Sequence, residues 1–164
     1  VASALEPGDP VSQLNLGIYA QEHADPQQAI SRYNAVLALA TDPQIRASAY
    51  ANLGTVYFAL HDYPQAEQNF DSAMRLQVIF PAVLLDMGLI EQKTAQVTED
   101  WNHAAEYFAR YTALEPSDVA YLLLADALQH AGRPNDAAAA NQQALRLSND
   151  IARARQRAAE LVKQ

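Results

Sequence analysis

Apolar residues recur along this chain at the i, i+3, i+4 and i+7 spacing of one helical face. Leu53, Val56, Tyr57 and Leu60 show it in one stretch, and Phe70, Ala73, Met74 and Leu76 keep a similar spacing in the next. Punctuation divides these stretches into pairs. Asp-Pro stands at 9–10, 25–26 and 42–43, where the aspartate caps a helix and the proline takes its first position. Ser117-Asp118 and Arg133-Pro134-Asn135-Asp136 serve the same purpose further on. The pattern predicts first helices at about 10–23, 43–60, 81–96 and 118–131, and second helices at about 26–40, 64–78, 99–114 and 134–147.

The pairs repeat. A small residue in the first helix falls at Gly17, Gly54, Gly88 and Ala125, at spacings of 37, 34 and 37. A second falls at Ala29, Ala66, Ala104 and Ala137, at spacings of 37, 38 and 33. The two series disagree because short insertions lie around Thr41 to Ala47 and around Thr94 to Asp100. Each mid-helix glycine costs about 1 kcal/mol relative to alanine, so its recurrence points to a close approach by the paired helix. The second series of alanines faces that contact, and Tyr33, Phe70 and Phe108 fill the space beyond it. Asn141 breaks the aromatic series in the last pair. A period in the mid-thirties marks a stack of helix pairs, an architecture that binds more often than it catalyses.

These residues resemble the tetratricopeptide repeat. The second repeat matches through Tyr50, Leu53, Gly54, Tyr57, Ala66, Phe70 and Ala73. The first carries Leu16, Gly17, Ala29 and Tyr33 but has Ala20 at a tyrosine position. The third carries Met87, Gly88, Trp101, Ala104, Phe108, Leu114 and Pro116, with Glu91 at the tyrosine position. The fourth keeps Tyr121, Leu124, Gly132, Ala137, Ala144 and Leu147, with Ala125 in place of glycine. The resemblance implies an all-α, right-handed superhelical solenoid of about four helix-turn-helix repeats with a capping helix after them. It also implies a concave peptide groove lined by the first helices: Leu14, Asn15 and Ile18, then Asn52, Thr55 and Phe58, then Leu85, Leu89 and Gln92, then Leu122 and Asp126. Some members grip a C-terminal carboxylate with lysine, arginine and asparagine. Asn15 and Asn52 stand in this groove without a lysine or arginine in repeats one and two, which argues against that clamp. An apolar stripe with amides suits an extended or helical peptide.

The boundaries that follow are 9–42, 43–80, 81–117 (with the insertion near 94–100) and 118–148 for the repeats. Residues 1–8 mirror the end of a second helix, since Ala4-Leu5-Glu6-Pro7 resembles Ala113-Leu114-Glu115-Pro116. They are expected to be the tail of a preceding repeat, in a piece of a larger bacterial protein. Residues 149–164 place Ile151, Ala154, Ala158, Leu161 and Val162 at helical spacing among arginines, as expected of a cap that closes the stack.

Charge sharpens the picture. Residues 1–145 hold 17 acids and 6 bases (−11), whereas 146–164 hold 2 acids and 5 bases (+3). An acidic body argues against nucleic acid as a partner. No run approaches the ~20 apolar residues of a membrane span. With no cysteine there is neither disulfide nor thiolate metal site, and cytoplasm and periplasm are equally compatible. His23, His61 and His130 fall near first-helix ends and His103 on a second helix, too far apart to share a zinc at about 2.1 Å. Glu99, Asp100 and Asp136 stand at helix starts, where capping explains them. No hydrolase, zinc-protease or phosphate-loop motif occurs. The expectation is a non-enzymatic protein-interaction scaffold without cofactor, binding a protein or peptide. The chain is read as a monomer, with self-association at its uncapped N-terminal end as an alternative. A further alternative is the accessory repeat domain of a membrane or O-linked glycosyltransferase whose catalysis lies upstream.

Overall fold

The computed structural model describes residues 8–163. Among them there are nine helices and no strand. They are α1 Pro10–Glu22, α2 Pro26–Leu39, α3 Pro43–Ala59, α4 Tyr63–Arg75, α5 Pro81–Thr94, α6 Thr98–Leu114, α7 Asp118–His130, α8 Pro134–Leu147 and α9 Ile151–Lys163. Residues 1–7, expected to close a preceding repeat, lie outside the described residues. The helices are all-α hairpins in the tetratricopeptide manner, in two compact bodies that divide after Phe80.

The expected caps form. Asp9 accepts the Ser12 N–H at 2.8 Å and the Ser12 hydroxyl at 2.9 Å, Asp25 accepts Gln28 N–H at 3.0 Å, and Asp42 accepts Gln44 N–H at 2.7 Å. Ser117 does the same for Ala120 at 3.1 Å. Asp62 and Asp150, two caps not singled out in the sequence, serve α4 and α9. Asp100 accepts the N–H groups of Gln96 and Val97 and so ties the inserted connection to the start of α6. These donors hold the Asp9 and Asp100 carboxyls below the ordinary carboxylate range. A depressed carboxylate stabilises the fold above its unfolded pKa, and that contribution fades as pH falls through the folded one. Asp136 departs from expectation, because it accepts from the Arg133 side chain at 2.8 Å rather than from backbone.

The glycine rule has a visible cause. A Cβ on Gly88 would lie 2.6 Å from Cε1 of Phe108. One on Gly17 would meet the Tyr33 ring, with Cδ1 at 2.7 Å, and one on Gly54 the Phe70 ring, with Cγ at 2.9 Å. Each second-helix aromatic therefore lies directly on the bare backbone of its partner helix, and all three rings are fully buried. Burying such a ring contributes about 1.5–3 kcal/mol, more than the glycine costs. Repeat four makes the opposite choice. Ala125 is buried, and Asn141 at the aromatic position is exposed.

In the first body, α1 packs on α2, α2 on α3 and α3 on α4. Ala20, Ala29, Tyr33, Leu53 and Val56 form one cluster, and Val36, Ala40 and Ala49 form a second, with Leu14 and Leu37 packed against both. Tyr33 donates its hydroxyl to Gln21 Oε1 at 2.9 Å. Arg46 of α3 reaches back to the carbonyls of Leu37 and Ala40, at 2.7 and 3.2 Å, closing the C-terminal end of α2. In the second body α5 to α8 stack in the same order, and α9 lies against α7 and α5. The helix expected to cap the stack thus makes its contacts on the first helices α7 and α5.

Burial, and secondarily Glu22, push the Tyr33 phenol up to about 12. An acid whose folded pKa is raised stabilises the protein below its unfolded value, near 10 for tyrosine, and that stability is lost as pH climbs from there toward the folded value. Tyr33→Phe is expected to flatten the fall in urea midpoint between about pH 9.5 and 11.5. It should also lose about 1 kcal/mol at pH 7 with the hydrogen bond to Gln21. An unchanged alkaline slope would remove Tyr33 as its cause.

Candidate peptide-binding faces

The first-helix face of the first body is built by α1 and α3. Asn15 and Ile18 are open to solvent on α1, and Val11, one turn earlier, extends the same exposed stripe. Asn52 and Thr55 on α3 are half-buried, and Thr55 donates its hydroxyl back to the Ala51 carbonyl at 3.2 Å. Leu14 turns into the core described above. Phe58, only 7% exposed, sits beside Tyr63 with ring centroids 5.9 Å apart. The expected groove residues of this body therefore divide. Leu14 and Phe58 hold the fold, whereas Asn15, Ile18, Asn52 and Thr55 offer surface.

The corresponding face of the second body is largely covered. Leu89 and Gln92 on α5 and Leu122 on α7 are buried, Leu85 is half-buried, and Asp126 is exposed. Gln92 donates Nε2 to Asp126 Oδ2 at 2.7 Å, joining α5 to α7. Its Oε1 is buried and finds no hydrogen-bond partner among the described residues. Such an orphaned acceptor costs about 1–3 kcal/mol. Over this face runs α9, with Ala154 and Ala158 buried beneath it and Arg157 paired to Asp118 at 3.2 Å. Open space flanks the helix on both sides. A cavity of about 340 Å³ is lined by Leu85, Tyr111, Val119 and Leu161 among others. A larger one of about 550 Å³ lies over Gln92, Leu122, Ala125, Asp126 and Asn141, and is bounded by Ala159 and Val162. Ala125 and Asn141, the positions held by glycine and an aromatic ring in the other repeats, both line it.

The sequence signal for this arrangement was the segregation of charge. The basic segment after residue 146 folds onto the acidic body, with Arg157 on Asp118. Periodicity alone could not say which face the last helix would choose.

The histidines behave mainly as helix-end residues. Nδ1 of His23 lies 2.8 Å from the Tyr19 carbonyl, and that of His130 lies 2.9 Å from the Asp126 carbonyl. His61 departs, meeting the Tyr63 hydroxyl at 3.3 Å instead. Trp101 stacks on His130 with centroids 4.3 Å apart, a packing role across α6 and α7. Among the described residues no three metal-ligating side chains gather, and no helix is long and apolar enough to cross a membrane.

Solved structures share this architecture. A structure of MamA superimposes with a TM-score of 0.70 at 21% identity, covering 86% of this chain and 74% of that one. PilW, described as a widely conserved type IV pilus biogenesis factor, gives 0.69 at 20% identity, covering 89% and 67%. The chain has the tetratricopeptide-repeat fold. In sequence it is 26% identical, over 129 residues and 73% of each chain, to the photosystem I assembly protein Ycf3 of Synechococcus sp. strain CC9902. The Ycf3 protein of Parasynechococcus marenigrum strain WH8102 matches to the same extent. No family model matches the chain. Of these proteins, Ycf3 is named for photosystem I assembly and PilW for type IV pilus biogenesis.

Proposed function

We propose that this chain is a protein-interaction scaffold, without catalysis of its own, that holds a peptide segment or a neighbouring domain on its first-helix faces. The observation that carries the reading is the open stripe of Val11, Asn15 and Ile18 on α1, with the amide and hydroxyl of Asn52 and Thr55 on α3 of the same body. Apolar side chains offer pockets there, and amides can pair with a bound backbone. The face presents no lysine or arginine at the expected groove positions, so recognition rests on shape and hydrogen bonds rather than on capture of a terminal carboxylate. Relatives named for assembly support this reading, since assembly factors work by holding other chains. The acidic balance of residues 1–145 favours protein over nucleic acid as partner.

The test is a quantitative pull-down from lysate of the source with the wild-type chain and with Asn15→Arg/Ile18→Glu. Both side chains are exposed, so circular dichroism should be unchanged, while the principal captured protein falls at least about tenfold, a loss worth about 1.4 kcal/mol. Equal capture by the two proteins would remove this face as the binding surface.

A further inference from the structure

We propose that α9 is a displaceable occupant of the α5/α7 face, and that the face receives the amphipathic helix of a partner protein in its place. The inference rests on the scaffold reading and adds to it the kind of ligand and a built-in competitor. Three observations carry it. The helix presents a poor filling to its seat: its only fully buried side chains are Ala154 and Ala158, and its larger apolar residues Ile151, Leu161 and Val162 stay half-buried, whereas repeats one to three each bury a whole aromatic ring. The seat is larger than its occupant, with cavities of about 340 and 550 Å³ on either side. It also holds a buried polar group, because Gln92 is 7% exposed and its Oε1 has no hydrogen-bond partner among the described residues.

The geometry specifies the partner's chemistry. Asp118 already takes Arg157, so the incoming helix carries a cation at that level. Ala159 borders the larger cavity, so a long apolar side chain at the equivalent position fills it. A helix so equipped makes the contacts of α9 and buries more apolar surface, and apolar area removed from water is what decides between two helices of similar charge. While α9 is seated it lowers the apparent affinity of the partner by the fraction of molecules in which the face is closed.

The probe is a fluorescent synthetic peptide with the sequence of residues 149–164 carrying Ala159→Leu. It is titrated into the full chain and into the full-chain variant Ala154→Glu/Ala158→Glu, in which α9 is unseated. Binding to the variant should be at least tenfold tighter than to the wild type. Asp118→Lys in the variant should weaken it again, and the peptide with alanine retained at 159 should bind less well. Equal binding to both proteins, or binding to neither while the helical signal is retained, overturns the proposal. So does a variant that sediments as a dimer exchanging α9, since the occupant would then be a second copy. A measurement without substitution stands beside these: amide hydrogen exchange in α9 should run well ahead of that in α5 and α7 of the wild-type chain. Equal protection in the three helices would mean that α9 is a fixed part of the core. Failure of these tests with the Asn15/Ile18 result intact would remove the displaceable helix and leave the scaffold.

Discussion

Phe70→Ala is expected to destabilise the first body by about 3–5 kcal/mol, the usual cost of emptying a fully buried aromatic site. The ring is completely enclosed and lies on the backbone of α3 at Gly54. The sharper form of the prediction is a coupling. Gly54→Ala alone pushes a methyl group into that ring, and overpacking of this kind costs about 1–3 kcal/mol, against about 1 kcal/mol recovered from helix propensity. In a Phe70→Leu background the same methyl group enters vacated space, so Gly54→Ala should turn from harmful to neutral or favourable. Urea denaturation of the four proteins gives the interaction energy, expected at about 1–2 kcal/mol of mutual compensation. Strict additivity would mean that glycine is required there for another reason. Repeat four has already made the exchange, with Ala125 on one helix and Asn141 on the other.

Arg46→Met should cost about 1.5–3 kcal/mol, the range for hydrogen bonds made by a charged donor. Its guanidinium Nη1 serves the carbonyls of Leu37 and Ala40, groups at the C-terminal end of α2 where helix carbonyls lack intrahelical donors. Methionine keeps most of the apolar stem, so the loss isolates the head group. Arg46→Lys should recover part of it, because an ammonium supplies the charge without the planar fork. Thermal unfolding followed by circular dichroism decides. A methionine variant as stable as wild type would show that water serves these carbonyls equally well.

Much of the architecture was legible because two codes coincide in this chain. Helical spacing located the elements, and Asp-Pro at 9–10, 25–26 and 42–43 with Arg-Pro at 133–134 set their starts, so Pro10, Pro26, Pro43 and Pro134 each open a helix as expected. The glycine and aromatic series was legible for a physical reason: a residue that costs helix stability recurs only where a neighbour needs the room, and Tyr33, Phe70 and Phe108 occupy that room. The groove was less legible. Family register identifies which positions face inward on a first helix, but not how deep each lies. Leu89 is therefore a core residue although it shares a register with the open Ile18, and Phe58 is one although it shares a register with the half-buried Gln21. Acidic substitutions at Phe58 or Leu89 would test folding, not binding. For the seat of α9 the segregation of charge was the one signal, and it named no face. An alanine-lined amphipathic helix has no strong preference between the end of a stack and the face of one, and here the choice accompanies an ion pair 39 residues apart in sequence.

The turns between paired helices carry a last consequence. Repeats one, two and four reverse direction through a single left-handed residue, Ala24, His61 or Gly132, whose φ values are 55°, 59° and 74°. A reversal made by one residue in that conformation has no slack, and added length there would break the hairpin. Among the described residues repeat three has no left-handed residue at its turn; residues 95–97 and the Asp100 carboxylate join α5 to α6 instead. That joint is exposed from Gln96 to Glu99, and exposed connections are where chains accept foreign sequence. It is therefore the place to splice an epitope, a fluorophore tag or a protease site into this protein while leaving every aromatic seam in register.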